Sequence, residues 1–188
     1  MKIKKWNIEP TNSEANFKVR KLMITTVTGQ LGVFEGQAET ETDDFEFINR
    51  ICFKAAVNSI KTDDAKRDEH LKSADFFNME KYPYILFVAE DFKVTESRIQ
   101  TNLTIKNITK PVVLNFDFGE TSVGEDGLKK MELSVSGKIN RKDFGLIWDG
   151  KNEAGELIVG DEIKLNAKIR FVKQEQQIAA EEIKECVL

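Results

Sequence analysis

EIKLNAKIRFV, residues 162–172, alternates apolar and polar side chains without a break. Ile163, Leu165, Ala167, Ile169 and Phe171 share one face; Lys164, Asn166, Lys168 and Arg170 share the other. Successive side chains of a strand point to opposite faces, so this period marks a half-buried antiparallel strand rather than a helix. The pattern recurs upstream. MELSVSGKI (131–139) alternates through Met131, Leu133, Val135, Gly137 and Ile139, and VVLNFDFG (112–119) through Val112, Leu114, Phe116 and Phe118. RIQTNLTI (98–105) carries Ile99, Leu103 and Ile105. In FINRICFKAAV (47–57), Phe47, Ile51, Phe53, Ala55 and Val57 are expected on one face, with Arg50, Cys52 and Lys54 toward water. YILFVAEDFKV (84–94) is mixed, Ile85, Phe87 and Ala89 alternating with Leu86 and Val88.

Nearer the N-terminus, KKWNIE (4–9) and ANFKVRKL (15–22) are two short strands joined at PTNS (10–13). VTGQLGVFEGQAE (27–39) reads as one long strand broken by Gly29, Gly32 and Gly36, where bulges or bends are expected. These segments make about eight to nine strands, enough to close a barrel or pair as a sandwich. Two stretches have helical character. TDDAKRDEHLKSA (62–74) has Thr62 or Asp63 as candidate caps, acids at its start and Lys72 near its end. The tail QEQQIAAEEIKECVL (174–188) has a weak stripe of Ile178, Ile183 and Val187 and fits a docked or a frayed helix equally.

Composition excludes several function classes. The chain has 188 residues, 40% hydrophobic and 32% charged, with a net charge of −4, which suits one globular domain. Lys and Arg are spread along the chain without a dense stripe, which argues against nucleic acid. No apolar run reaches the roughly 18 residues of a membrane span. MKIKKWNIEP (1–10) lacks the h-region of a secretion signal, so the sequence as written reads as cytoplasmic. Cys52 lies in an apolar segment and Cys186 in the polar tail, far apart in sequence; a disulfide is poorly motivated and two buried or reduced thiols are the plainer reading.

A single histidine, His70, rules against the usual zinc sites, and no Cys-x-x-Cys, His-Glu-x-x-His, Gly-x-Ser-x-Gly or Walker loop is present. No metal or cofactor is expected. Arg67, Asp68 and His70 form the one cluster with catalytic types, but no nucleophile stands beside an orienting partner. These side chains are better read as tying a helix to neighbouring loops, and no catalytic residue is assigned. The 13 Phe against 2 Tyr and 2 Trp imply an apolar interior with few polar handles. Small inward residues (Ala55, Ala89, Gly137 and Ala167) leave two options open, a filled core or a cavity for one apolar ligand.

The chain resembles the YceI-like family of polyisoprenoid-binding, lipocalin-like proteins. The shared pieces run in order: WNIEPTNS (6–13) with FKV (17–19), VTGQLGVFEG (27–36), NSIKT (58–62), RDEHLKSADFF (67–77), YPYILF (82–87), LTIKNITKPV (103–112), INRKDFGLIW (139–148) and VGDEIKL (159–165). The resemblance implies an all-β, lipocalin-like, eight-stranded antiparallel barrel over residues 1–173, with a short helical insertion and a C-terminal tail over 174–188. It implies a non-catalytic protein that carries or sequesters a long isoprenoid or acyl lipid, in a family whose members are often homodimers. In that reading RDEHLKSADFF edges the barrel mouth, and His70 or Arg67 faces a headgroup. The expected ligand-contacting residues are Phe17, Phe34, Phe53, Ala55, His70, Phe76, Phe77, Phe87, Phe116, Leu133, Phe144 and Trp148. Asn12 and Lys21 stand where the family commonly has histidine, which weighs against a metal or acid–base role. The alternatives are an enzyme acting on a lipid-like substrate through the Arg67–His70 region, and a ligand-free structural or stress-response module.

Overall fold

A computed structural model describes residues 3–174. The alternating segments become twelve antiparallel strands: β1 (Lys4–Ile8), β2 (Glu14–Lys21), β3 (Thr25–Leu31), β4 (Phe34–Thr40), β5 (Phe47–Ala56), β6 (Ile60–Lys61), β7 (Tyr84–Lys93), β8 (Arg98–Ile105), β9 (Ile108–Phe118), β10 (Ser122–Val123), β11 (Lys129–Asn140) and β12 (Val159–Lys173). Among the described residues there is one α-helix, α1 (Ala65–Lys72), between β6 and β7. The expected helix over 174–188, beyond Gln174, and any pairing of Cys52 with Cys186 lie outside the described residues.

Eight strands close a ring in the order β11-β9-β8-β7-β5-β4-β1-β12, and β12 pairs back to β11. The extra strand count comes from interruption, not extra layers. β12 spans the barrel's length and pairs with β1 near its end (Ile8 opposite Phe171) and with β2 nearer its start (Ala15 opposite Ala167). Together β1 and β2 act as one long strand, bent at the Pro10–Asn12 turn. VTGQLGVFEGQAE is interrupted at Gly32–Val33, giving β3, which pairs with β2, and β4, which pairs with β1. Gly29 and Gly36 stay inside strands for want of room. A methyl group at Gly29 would collide with the Phe17 ring opposite it, and one at Gly36 with the Cys52 carbonyl.

Two expectations need local correction. In β5 the pairing passes from Glu39 opposite Arg50 to Thr40 opposite Ile48, and this irregularity turns Ile48 inward. Ile48 is fully buried and Phe47 only half-buried, so Phe47 does not continue the face of Ile51 and Ala55. The helix cap is Asp64, not Thr62 or Asp63: its carboxylate accepts the Arg67 backbone N–H at 3.0 Å.

The interior holds two apolar clusters stacked along the barrel. The first is an aromatic plug. Trp6 meets Phe45 edge-on with ring centroids 4.5 Å apart, and Phe45 leans on Phe118 and Phe171. The Trp6 indole donates to Thr40 Oγ1 at 3.0 Å, so its one polar atom is satisfied in the core. The second cluster lies at the α1 end, around Val57, Ile60, Phe76, Leu103, Ile105, Phe144 and Leu146.

Candidate binding cavity

Between and through these clusters runs a cavity of about 200 Å3. Alternation builds its wall. Ala15, Phe17 and Val19 of β2, Ile163, Leu165, Ala167 and Ile169 of β12, Leu133, Val135 and Ile139 of β11, and Ile51 and Phe53 of β5 all reach it. At the α1 end it is bounded by Leu31, Ile60, Leu71, Phe76, Phe77 and Leu146. The wall is aliphatic and aromatic almost throughout, and Arg141 is its one charged residue among those described.

Arg141 is not a vacant hook. It is 2% exposed, and its guanidinium is spent on the chain itself. Nε donates to the Gly160 carbonyl at 3.0 Å; Nη1 donates to the carbonyls of Leu146 at 2.6 Å and Trp148 at 2.8 Å. Nη2 donates to Asp149 Oδ1 at 2.7 Å and Asp161 Oδ1 at 3.1 Å. Such a buried charge is tolerable because its donors are matched. Its effect is to strap the irregular 145–158 segment over the end of the barrel. Lys142 adds a second cation, 2.9 Å from Asp149, and hydrogen bonds from Lys142 and then Arg141 hold the Asp149 carboxyl below its ordinary value.

RDEHLKSADFF makes the other half of this end. Thr62 donates twice to Asp68 Oδ1, from its backbone N–H at 2.8 Å and its hydroxyl at 2.6 Å. Arg67 Nε donates to Thr62 Oγ1 at 2.9 Å. These bonds clamp α1 to the end of β6. His70 Nε2 lies 2.8 Å from Asp75 Oδ2, and its ring sits edge-on to Phe76 and Trp148, each 5.0 Å away. Phe76 and Trp148 are 5.2 Å apart, so the helical insertion and the 145–158 segment meet at an aromatic corner. Arg67, Asp68 and His70 thus each have a structural partner. No group of three or more His, Cys, Asp or Glu able to hold a metal exists among the described residues.

The twelve residues singled out from sequence divide evenly. Phe17, Phe53, Phe76, Phe77, Phe87 and Leu133 line the cavity. Phe34, Ala55 and Phe116 pack in the plug-side cluster, Phe144 is buried in the other, and His70 and Trp148 form the corner outside the cavity wall. Sequence reasoning missed Leu31, Ile60, Leu71, Ile139, Arg141, Leu146 and Ile163. Ile139 and Ile163 were legible as inward positions. Arg141 carried only a weak signal, a cation within the apolar INRKDFGLIW stretch.

Comparison with known proteins agrees with this geometry. The YceI-like domain matches residues 6–171. UPF0312 proteins of Staphylococcus aureus strains MSSA476 and MW2 are each 30% identical over 167 residues, covering 88% of this chain and 96% of the relative. The crystal structure of Campylobacter jejuni YCEI protein superposes with a TM-score of 0.69 at 26% identity, over 81% of this chain and 88% of that one. A polyisoprenoid binding domain from Saccharophagus degradans shares the fold, with a TM-score of 0.69 at 14% identity over 90% of this chain and 98% of that one. The chain belongs to the YceI-like family.

Proposed function

We propose that this protein binds a long apolar lipid, of polyisoprenoid or fatty-acyl type, inside the barrel and carries or sequesters it without catalysing a reaction on it. The observation that carries the reading is the wall of the cavity. Its residues are apolar nearly throughout, and its one charge is consumed by backbone carbonyls and two carboxylates. A polar metabolite would lose its hydration there with nothing in return, whereas a hydrocarbon chain gains by burial, roughly 25 cal/mol per Å2. The cavity is small against the roughly 300–1,000 Å3 of compact-ligand pockets. It runs past residues of both clusters, a shape suited to a slim chain. The name of the Saccharophagus relative, a polyisoprenoid binding domain, supports the same ligand class. The absence of a partnered nucleophile at Arg67–His70 supports a binding role, because every candidate there is engaged in tying α1 down.

Mass spectrometry of an organic extract of the purified protein tests the reading. The expected result is one long-chain lipid class at near-stoichiometric yield, or, from a delipidated sample, saturable uptake of prenyl or acyl probes. An empty extract together with no uptake of either probe would overturn it.

A further inference from the structure

The β2–β3 hairpin has features that lipid storage does not require. Its tip is Leu22-Met23-Ile24, and Met23 and Ile24 are 72% and 87% exposed. Leu22 and Met23 adopt left-handed backbone conformations, with φ of 51° and 58°, where Asn or Gly is the usual choice. Large apolar side chains are therefore held in water at a turn that would form more readily without them. The tip adjoins the α1 end of the barrel. The Leu22 N–H donates to the Ile158 carbonyl at 3.0 Å, and Lys21 pairs with Val159, which lines the cavity. The neighbouring 145–158 segment exposes Ile147 and Leu157 as well.

The stalk of the hairpin is basic. Between Ala15 and Phe34 the chain has Lys18, Arg20 and Lys21 and no carboxylate. Strand register extends this charge sideways: Lys18 lies directly opposite Lys164, which lies directly opposite Lys138. Like charges facing one another across strands oppose pairing. Glu162 offsets Lys138 at 3.1 Å, but among the described residues Lys18, Arg20 and Lys164 have no ion pair. Toward the plug, by contrast, the same outer face is balanced: Glu132 holds Arg170 at 2.6 Å, and Glu14 faces Lys168. On this outer face the unpaired positive charge thus lies toward the end that bears the apolar tip, while Asp149 and Asp161 there are taken up by Arg141 and Lys142.

We infer that the β2–β3 hairpin docks the barrel on an anionic lipid bilayer, with Met23 and Ile24 entering the interface and the Lys18–Lys164–Lys138 row facing the headgroups. An apolar tip backed by cations is the composition that binds such surfaces. Nucleic acid would use the cations but leave Met23 and Ile24 without a partner. The location at the barrel mouth gives docking a purpose, since a long lipid can then pass between membrane and cavity with little exposure to water; only this purpose rests on the function proposed above.

The test is flotation of the full chain with vesicles of phosphatidylcholine alone and of equimolar phosphatidylcholine and phosphatidylglycerol. The expected result is binding to the anionic vesicles only, lowered about tenfold or more in M23S/I24S and by a similar factor in K18E/K164E. Both pairs lie on the exposed surface, so melting temperatures should stay near that of the parent chain. Absence of wild-type binding to anionic vesicles would overturn the inference. So would retention of full binding by M23S/I24S, or loss of vesicle binding to competing duplex DNA that M23S/I24S binds as tightly as the parent. The lipid content of the same preparations separates the two proposals. Lipid-loaded protein that does not float contradicts docking alone; empty protein that floats contradicts carriage alone.

Discussion

The two ends of the barrel are built on opposite principles. At the plug, Trp6, Phe45 and Phe171 are essentially fully buried, ring packs on ring, and the one indole N–H is satisfied by a threonine. At the α1 end the covering pieces are a two-turn helix and an irregular segment, held by side-chain bonds through Asp68, Thr62 and Arg141. Here Phe17, Phe77, Ile163 and Leu165 are only half-buried although they face inward. Aromatic packing fixes one end, while the other adds discrete polar contacts through Asp68, Thr62 and Arg141 to an aromatic corner and a smaller apolar cluster. This asymmetry, a floor at one end and a composite cover at the other, fits the proposed carriage of a long chain.

Substitutions should resolve the two ends in descending order of effect. Trp6→Ala removes the largest buried side chain of the plug and should cost about 3–5 kcal/mol, read as a fall in chemical-denaturation midpoint. Lipid affinity per folded molecule should change far less. If the two ends proved equally sensitive to truncation, with Phe76→Ala as costly as Trp6→Ala, the contrast would fail. Arg141→Ala orphans the carbonyls of Leu146 and Trp148 and should cost about 3 kcal/mol. Its distinguishing mark is fast amide exchange confined to 145–161 before global unfolding. Thr62→Val removes the hydroxyl's bonds to Asp68 and Arg67, leaving only the backbone N–H bond to Asp68, at a cost of about 1 kcal/mol, and should speed lipid release more than it lowers stability.

The smallest effect concerns acid. Hydrogen bonds from Lys142 and Arg141 lower the Asp149 carboxyl from its ordinary value of 3.8. A carboxylate whose pKa is depressed in the folded state contributes stability above its unfolded pKa and loses it as pH falls through the folded one. The strap over the mouth should therefore be intact at neutral pH and slacken only in strong acid, below the ordinary carboxylate range. Amide exchange across 145–161 as a function of pH checks this, and Asp149→Asn should abolish the dependence.

How far the sequence carried depends on which kind of contact built each part. Strands such as 98–105 and 162–172 were legible because burial on one face of a sheet imposes period two directly. The inward set on β11 and β12 followed from the same rule, and with it much of the cavity wall. Long-range register was not legible. Nothing local in KVR, SGKI or EIKL announces that Lys18, Lys164 and Lys138 line up, because pairing partners are chosen by the whole ring. The irregularity that turns Ile48 inward in place of Phe47 is equally silent. Arg141 was passed over because a cation in an apolar stretch is recognisable as a buried strap only once the carbonyls of Leu146, Trp148 and Gly160 surround it. His70 drew notice for its chemistry, but its position is set by Asp75, Phe76 and Trp148.

Phe53 gives the most direct test of a lipid-filled interior. It faces inward from β5, lies 5.2 Å from Phe34 and lines the cavity. Phe53→Trp adds volume at that point, and overfilling a packed site costs roughly 1–3 kcal/mol. Lipid content and melting temperature should be measured together on the variant and the parent. Lipid content should fall severalfold while the melting temperature, taken on delipidated samples, moves little, because the added ring occupies space the lipid otherwise takes. Unchanged lipid content with a large drop in melting temperature would mean that Phe53 already packs in a filled core, and would contradict a lipid channel through this barrel.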